Sequence, residues 1–79
     1  MDKERFPDTK SVEDQKENLR DADLSGMDLP YANLQDADLR GANLAGADLT
    51  RANLFETNLT NADLTGQDID DLKSRCALL

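Results

Sequence analysis

Few side chains in this sequence can carry out covalent or acid–base chemistry. The 79 residues include no His and a single Cys, Cys76, so the usual general base and the usual zinc ligands are missing. No nucleophile stands beside a base, no glycine-rich loop opens a helix, and no cluster of metal ligands is present. We therefore predict a protein that is not an enzyme, with no catalytic residues, no cofactor and no metal site.

Carboxylates are the most abundant ionisable groups, and three of them, Asp28, Asp48 and Asp68, recur at a spacing of twenty residues. Carboxylate oxygens suit Ca²⁺ or Mg²⁺, but a Ca²⁺ site gathers about six to eight oxygens around one point. A column of carboxylates at strand spacing is a flat ladder instead. Solvated acid is therefore favoured over a cation site, although the sequence leaves both interpretations open.

The last four residues, Cys76 to Leu79, match the C-a-a-X pattern for prenylation, and a final Leu is typical of geranylgeranyl transfer. A supporting polybasic run is missing, because only Lys73 and Arg75 lie nearby. The same four residues also fit a helix that covers the end of the fold. This structural role is favoured over modification, and the sequence does not decide between them.

The charge and the apolar content restrict the partners and the location. Formal net charge is −8, and residues 17–71 hold three basic against twelve acidic residues. Such an acidic surface repels phosphate backbones, so direct nucleic-acid binding is not expected. A single cysteine excludes an intrachain disulfide, and no apolar run is long enough for a secretory signal or a membrane span. We expect a cytoplasmic protein with no membrane partner.

A strict five-residue repeat organises most of the chain. From Glu17 to Asp71 it divides without insertion or deletion into eleven units: ENLRD, ADLSG, MDLPY, ANLQD, ADLRG, ANLAG, ADLTR, ANLFE, TNLTN, ADLTG and QDIDD. Position three is Leu in ten units and Ile69 in the last, position two is always Asp or Asn, and position one is mostly Ala. Leucines five apart spiral around a helix and alternate between the faces of a strand. The chain must instead turn a corner once per unit, so that each Leu points inward from a new side.

The variable positions indicate how many sides the coil has. Gly26, Gly46 and Gly66 recur at twenty residues, as do several polar residues of the other positions. Twenty residues are four units, so four sides are favoured over three. Glycine at position five suits a corner with positive φ, as in a type II turn.

These tandem A(D/N)LXX units resemble the pentapeptide-repeat proteins. The resemblance implies an all-β solenoid, namely a right-handed quadrilateral β-helix of slightly under three coils. It also implies that positions one and three point inward, from Leu19 through Ile69, and that positions two, four and five face solvent. Thr57 is the one polar residue at an interior first position, and it needs a hydrogen-bond partner if it is buried.

The two ends of the chain lie outside the clear repeat. We predict a flexible or partly helical segment over residues 1–16, in which 1–10 are mobile and a helical turn begins at Ser11. Residues 17–71 form the β-helix. A C-terminal capping helix is predicted over 72–79, because Ile69, Leu72, Cys76 and Leu79 fall at helical spacing and an Asp precedes them as a helix cap.

The candidate interface comprises three outward residues that break the repeat, Tyr31, Arg51 and Phe55, together with Gln35 on the same side as Phe55. Arg51 is expected to lie on the Tyr31 ring and to pair with Asp71, as a local stabilising stack. Phe55 is the best candidate for an interface hot spot, since aromatic side chains are enriched there. It could instead fold over a terminus or be a single exposed apolar residue. A flat side with Gly at its corners offers a second docking face, although tight corners explain it better.

Two binding functions follow from this surface. The first is a non-catalytic scaffold or adaptor for an unidentified protein partner, and the specific role is not evident from the sequence. The second is an acidic DNA mimic that acts on a DNA-binding enzyme, since relatives in the resembled family protect DNA gyrase in that way. Those relatives are long rods, whereas this chain makes under three coils. A monomer is expected, because a helix at the C-terminus would cover the open coil.

Overall fold

The computed structural model describes the whole chain, Met1–Leu79. It contains the helix α1 (Thr9–Asp14), a 3-10 turn (Lys16–Asn18) and the helix α2 (Ile69–Ser74). No continuous strand lies between them. Pairing is confined to single residues, each separated from the next by a corner, because no side of the winding chain is long enough for a longer strand.

All six bridges are parallel and join residues that are twenty apart: Asp23 to Asn43, Asp28 to Asp48, Asn33 to Asn53, Asp38 to Asn58, Asn43 to Asp63 and Asn58 to Leu78. Each bridging residue occupies position two of its unit. Leu78 lies after the last unit, but it also falls at position two when the count in fives is continued. Backbone hydrogen bonds flank every bridge. Asn43 N–H donates to the carbonyl of Ala22 at 2.8 Å, and Leu24 N–H donates to the carbonyl of Asn43 at 2.9 Å. The chain thus returns to the same line after every four units.

A corner with positive φ closes every unit from Asp21 to Gly66. Ala22 N–H donates to the carbonyl of Leu19 at 3.1 Å, which is the bond that closes a type II turn. Glycine suits this corner, but Tyr31 and Arg51 adopt it too, at φ of 60° and 57°. A left-handed conformation costs a non-glycine residue roughly 1–2 kcal/mol. The interlayer hydrogen bonds must therefore outweigh that cost at several corners.

The core is a column of leucines lined by alanines. Nineteen apolar residues form one buried cluster, and Leu24, Leu34 and Leu44 have no exposed surface. Thr57, the polar residue at an interior first position, is also fully buried. Its hydroxyl donates to the carbonyl of Leu34 at 2.6 Å, which meets the need for a hydrogen-bond partner.

The N-terminal segment packs over the first units, whereas the sequence predicts that residues 1–10 are mobile. Phe6 and Val12 are 1% and 0% exposed and lie in the core cluster. Asp8 caps α1 by accepting from Ser11 N–H at 2.8 Å. The segment also pairs with the edge of the repeats, since Asn33 N–H donates to the Glu13 carboxylate at 2.6 Å. Apolar burial and edge pairing together fix residues that show no periodic pattern.

The C-terminal helix differs from the predicted range of 72–79, because α2 spans Ile69–Ser74. Asp68 caps it by accepting from Asp71 N–H at 3.1 Å. After α2 the chain returns to the repeat frame, since Leu78 N–H donates to the carbonyl of Thr57 at 2.8 Å. Five-residue register therefore prevails over helical spacing beyond Ser74.

Only one α2 side chain reaches the core. Leu72 is buried, whereas Ile69 is 39% exposed, and Leu79, which lies beyond the helix, is 44% exposed. The expectation that Ile69 points inward like the other central residues is thus wrong, because the backbone is already helical at that position.

Truncation of a central leucine should show how much of the stability depends on the column. We expect Leu44→Ala to lower the free energy of unfolding by roughly 2–5 kcal/mol, since Leu44 is fully buried. Leu64→Ala is the matched control and should cost clearly less, because Leu64 is only partly buried. Urea denaturation followed by circular dichroism measures both, and equal losses would contradict this view of the core.

Candidate functional site

The Asp or Asn at position two serves as an acceptor for the backbone of its own unit. In eight units its side-chain oxygen accepts the N–H of the residue two positions further on. For example, Ser25 N–H donates to Asp23 at 3.1 Å, and Ala45 N–H donates to Asn43 at 3.0 Å. This is the geometry of an Asx turn. Carboxylate and amide both supply the oxygen, which explains why Asp and Asn interchange there. Asp28 makes no such bond, because Pro30 has no N–H.

Two of the three carboxylates in the column of Asp28, Asp48 and Asp68 accept hydrogen bonds from the chain, one in a turn and one as a helix cap. Asp48 accepts from the Thr50 hydroxyl at 2.6 Å and from the Thr50 N–H at 2.9 Å, and these two bonds lower its pKa below the usual range. Asp68 is occupied as the cap of α2. No group of His, Cys, Asp or Glu is arranged to hold a metal ion. Asp48 and Asp68 therefore have structural roles, one in a turn and the other as a helix cap.

An ion pair on another side involves Asp38 and Arg40. The guanidinium donates to both carboxylate oxygens, with Nε and Nη2 each at 2.8 Å. The hydrogen bond from Arg40 is the main reason why the pKa of Asp38 falls to about 2, since desolvation acts in the opposite direction. The same pair raises the pKa of Arg40. Both groups therefore stay charged at neutral pH and form an ion pair on this side of the molecule.

The four residues predicted as an interface lie on neighbouring parts of the surface. Tyr31 and Arg51 occupy equivalent corners, and Gln35 and Phe55 occupy equivalent positions on the adjacent side, each twenty residues apart. Tyr31 is 70% exposed and Phe55 is 46% exposed. Gln35 accepts from the Asn53 side-chain amide at 3.2 Å. The structure thus places the four residues together on the surface without assigning them a role.

The expected stack of Arg51 on Tyr31, with Asp71 as its ion partner, does not form. The cation–π contact of this structure is elsewhere, with the Arg5 guanidinium 4.7 Å from the centre of the Phe6 ring. Asp71 lies in the first turn of α2, where Arg75 follows four residues later and pairs with it at 2.7 Å. Because Asp71 belongs to α2, it does not lie in line with Tyr31 and Arg51.

Two polar side chains near the C-terminus cover backbone carbonyls of the preceding units, and neither role was predicted from the sequence. The Gln67 amide donates to the carbonyls of Ala47 at 2.7 Å and Leu44 at 3.2 Å. The Arg75 guanidinium donates to the carbonyl of Leu49 at 2.6 Å. The signal at Gln67 was a polar residue at a first position, where most units have Ala. Arg75 carried no comparable signal.

The sequence of the repeats matches a known family. A family model described as pentapeptide repeats matches residues 18–54 and 32–69, with eight copies of the repeat. These matches span more than half of the chain. This chain belongs to the pentapeptide-repeat family. No curated protein and no solved structure matches it.

Membership of the pentapeptide-repeat family fits a protein whose side chains serve structure and surface. Pentapeptide-repeat proteins are generally non-enzymatic structural or interaction proteins, and the match indicates no catalytic family. None of the helices of this pentapeptide-repeat chain is long and apolar enough to cross a membrane.

Acid should weaken the fold through the turn carboxylates. Asp23, Asp38, Asp48 and Asp63 each have a folded pKa below the ordinary value, chiefly through side-chain hydrogen bonds. Their stabilising contribution is present above the unfolded pKa near 4 and is lost as pH falls toward about 2, the folded value of Asp38. Urea midpoints measured from pH 5 to pH 2 should fall accordingly.

A pair of substitutions tests the origin of this acid sensitivity. Asp48→Asn keeps the oxygen that accepts from Thr50, so we expect a folded protein whose midpoint falls less between pH 5 and pH 2. Asp28→Asn is the matched control, because it removes an acidic group from the same column that has no turn bond. An equal reduction of the fall in both variants would show that the turn bonds of Asp48 are not the origin of the acid sensitivity.

Proposed function

We propose that this pentapeptide-repeat protein is a non-catalytic scaffold or adaptor, which binds a protein partner through the surface of Tyr31, Gln35, Arg51 and Phe55. The exposure of Phe55 carries the proposal. At 46%, much of its ring remains outside the core although nineteen other apolar residues are buried. An exposed aromatic ring beside a second one, Tyr31, is the kind of side chain that anchors protein interfaces.

The proposed frame for this surface is a right-handed quadrilateral β-helix of slightly under three coils over residues 17–71. The parallel bridges at a spacing of twenty and the family match support it. The proposed domain organisation places residues 1–16 as a partly helical segment over one end and α2 over part of the other.

The backbone around Phe55 is fixed before any partner arrives. Phe55 N–H donates to the Asn53 side chain at 3.1 Å, and its carbonyl accepts from Asp36 N–H at 3.0 Å. A side chain presented from a fixed backbone loses less conformational entropy on binding than one presented from a loop. Such a position suits a binding anchor.

Charge indicates which partners this surface favours. The net charge is −8, and Asp36 and Glu56 flank Gln35 and Phe55. A partner with a basic rim around an apolar pocket would be attracted, whereas nucleic acid and anionic membranes would be repelled. We place the protein in the cytoplasm, as a monomer that carries one partner.

Truncation of Phe55 tests the scaffold proposal. Phe55→Ala should leave the thermal midpoint nearly unchanged, because the ring is half exposed, and should weaken the partner by roughly 2 kcal/mol or more if the ring is a hot spot. Partners would be identified by cross-linking in the native host and then measured by titration with purified protein. Thr60→Ala, an exposed residue of the same unit position on another side, is the control. Loss of folding in Phe55→Ala would show that the ring is structural, and unchanged affinity would exclude this surface.

A second candidate is an acidic DNA mimic that acts on a DNA-binding enzyme such as gyrase. The observation in its favour is the stacked pair Asp28 and Asp48, both exposed, on a chain of net charge −8. The short length is against it, since the longest dimension is 31 Å. A gyrase supercoiling assay separates the two functions. Inhibition or protection from a gyrase drug at micromolar protein would favour the mimic, and no effect would exclude it.

A further inference from the structure

The helix α2 takes the place of two sides of the coil without changing the length of the chain. Asp63 bridges to Asn43 in the layer before it, and Leu78 bridges to Asn58. The same number of residues, fifteen, separates 43 from 58 and 63 from 78. Residues 67–76, which we call the α2 segment, therefore span as a helix the distance that residues 47–56 span as two units of coil.

Three backbone N–H groups next to the α2 segment lack the acceptors that their equivalents have one layer earlier. Those equivalents are paired at 2.8 to 3.0 Å, namely Leu29 with Asp48, Tyr31 with Thr50 and Leu34 with Asn53. In the same register, the N–H groups of Leu49, Arg51 and Leu54 would donate to carbonyls of the α2 segment, but they have no acceptor in the chain. The acceptors exist within the chain and are held in another conformation.

The side chains of the α2 segment also keep the five-residue count, with one exception. Leu72 falls at position one and is buried in the helix as well. Ile69 falls at position three, where a coil would bury it, and is 39% exposed. Cys76 falls at position five and already has the corner conformation, with φ of 63°. The exception is Ser74, because position three is otherwise Leu or Ile.

The helix is stabilised by its own contacts rather than by its length. Asp68 caps it, and the Arg75 guanidinium pairs with Asp71 at 2.7 Å and donates to the carbonyl of Leu49. Six residues alone are too few for a stable helix in water. A coil would instead satisfy the three N–H groups, but it would place the hydroxyl of Ser74 in the apolar interior, which is costly without a partner.

We propose that the α2 segment has two states, the helix α2 and two further sides of the coil, and that Ser74 holds the balance toward the helix. The bridges of Asp63 and Leu78 are compatible with both states, so the exchange needs no change of register at either end. Two arrangements of one sequence that differ little in free energy are a known basis for conformational switches.

The coil state would alter the surface that we propose for a protein partner. Asp71 would move to the corner below Arg51, and Arg75 would leave the carbonyl of Leu49 and lie outward below Phe55. A positive charge beside Phe55 disfavours a partner with a basic rim, so the helix is the state that binds. This effect on a partner rests on the proposed scaffold function, whereas the two states do not.

A combined variant, Asp68→Ala with Ser74→Leu, tests the two states because it removes the helix cap and supplies the missing leucine. Helix propensity alone predicts that Leu in place of Ser strengthens α2. We expect the opposite, a loss of the helical ¹³Cα shifts of residues 69–74. The amides of Leu49 and Leu54 should exchange with solvent at least about tenfold more slowly, since burial of a leucine favours the coil by that factor or more.

Asp68→Ala with Lys73→Leu is the matched control, because position two faces outward and a leucine there gains no core contact. Its amides at Leu49 and Leu54 should stay unprotected. Unchanged exchange of both amides in the Ser74→Leu variant would overturn the proposal, whether or not the helix survives. Equal protection in the two variants would exclude the role of Ser74.

Ser74→Leu alone provides the test if the combined variant does not fold, which a loss of amide protection at Leu24 and Leu34 would reveal. Saturation-transfer NMR of the unaltered chain should detect a minor state at residues 67–76. Ser74→Leu should raise its population relative to α2 about tenfold. A minor state absent from both proteins, or a population that does not rise, would contradict the proposal. None of these measurements involves a partner, so a negative result leaves the Phe55 surface to its own test.

Discussion

The backbone hydrogen bonds between units twenty residues apart are the interaction on which the rest of this structure depends. They fix the distance between successive layers. At that distance, the leucines of one layer pack directly against those of the next and fill the interior. They also offset the cost of corners such as Tyr31 and Arg51, which hold a left-handed conformation without being glycine. These bonds use the backbone N–H and carbonyl groups of the residue at position two. Its side chain is therefore free to close a turn within its own unit. Each of these features would be lost without the hydrogen bonds between units twenty residues apart.

The repeat was predictable from sequence because one physical requirement is restated in every unit. Leucine at every fifth residue excludes helix and flat strand, and the recurrence of Gly26, Gly46 and Gly66 indicates the spacing of twenty at which bridges occur. The resemblance to pentapeptide-repeat proteins is confirmed by the family match. The interchange of Asp and Asn at position two was visible in the sequence, but its cause comes from the structure, where both side chains supply the oxygen that accepts an N–H two residues on.

The ends were less predictable, because there the sequence offers competing patterns or none. Phe6 is buried by contact with residues far along the chain, and nothing periodic in the first sixteen residues marks it. At the other end, helical spacing of apolar residues competes with the five-residue register. The register prevails after Ser74, while α2 prevails before it. The expected stack of Arg51, Tyr31 and Asp71 was wrong for the same reason, since the helix moves Asp71 out of the column.

The corner at the end of each unit has a consequence for how the length of such a chain can change in evolution. Loss or gain of a single residue would move every later leucine off the inward position, and the core would be lost. A change of five residues would restore the core but turn all later surface residues onto the next side, which would separate Phe55 from Gln35. Only a change of twenty residues preserves both the core and the pattern of the faces. The core therefore tolerates insertions or deletions in multiples of five residues. A binding face on one side tolerates only multiples of twenty, so it restricts changes in chain length more than the fold does.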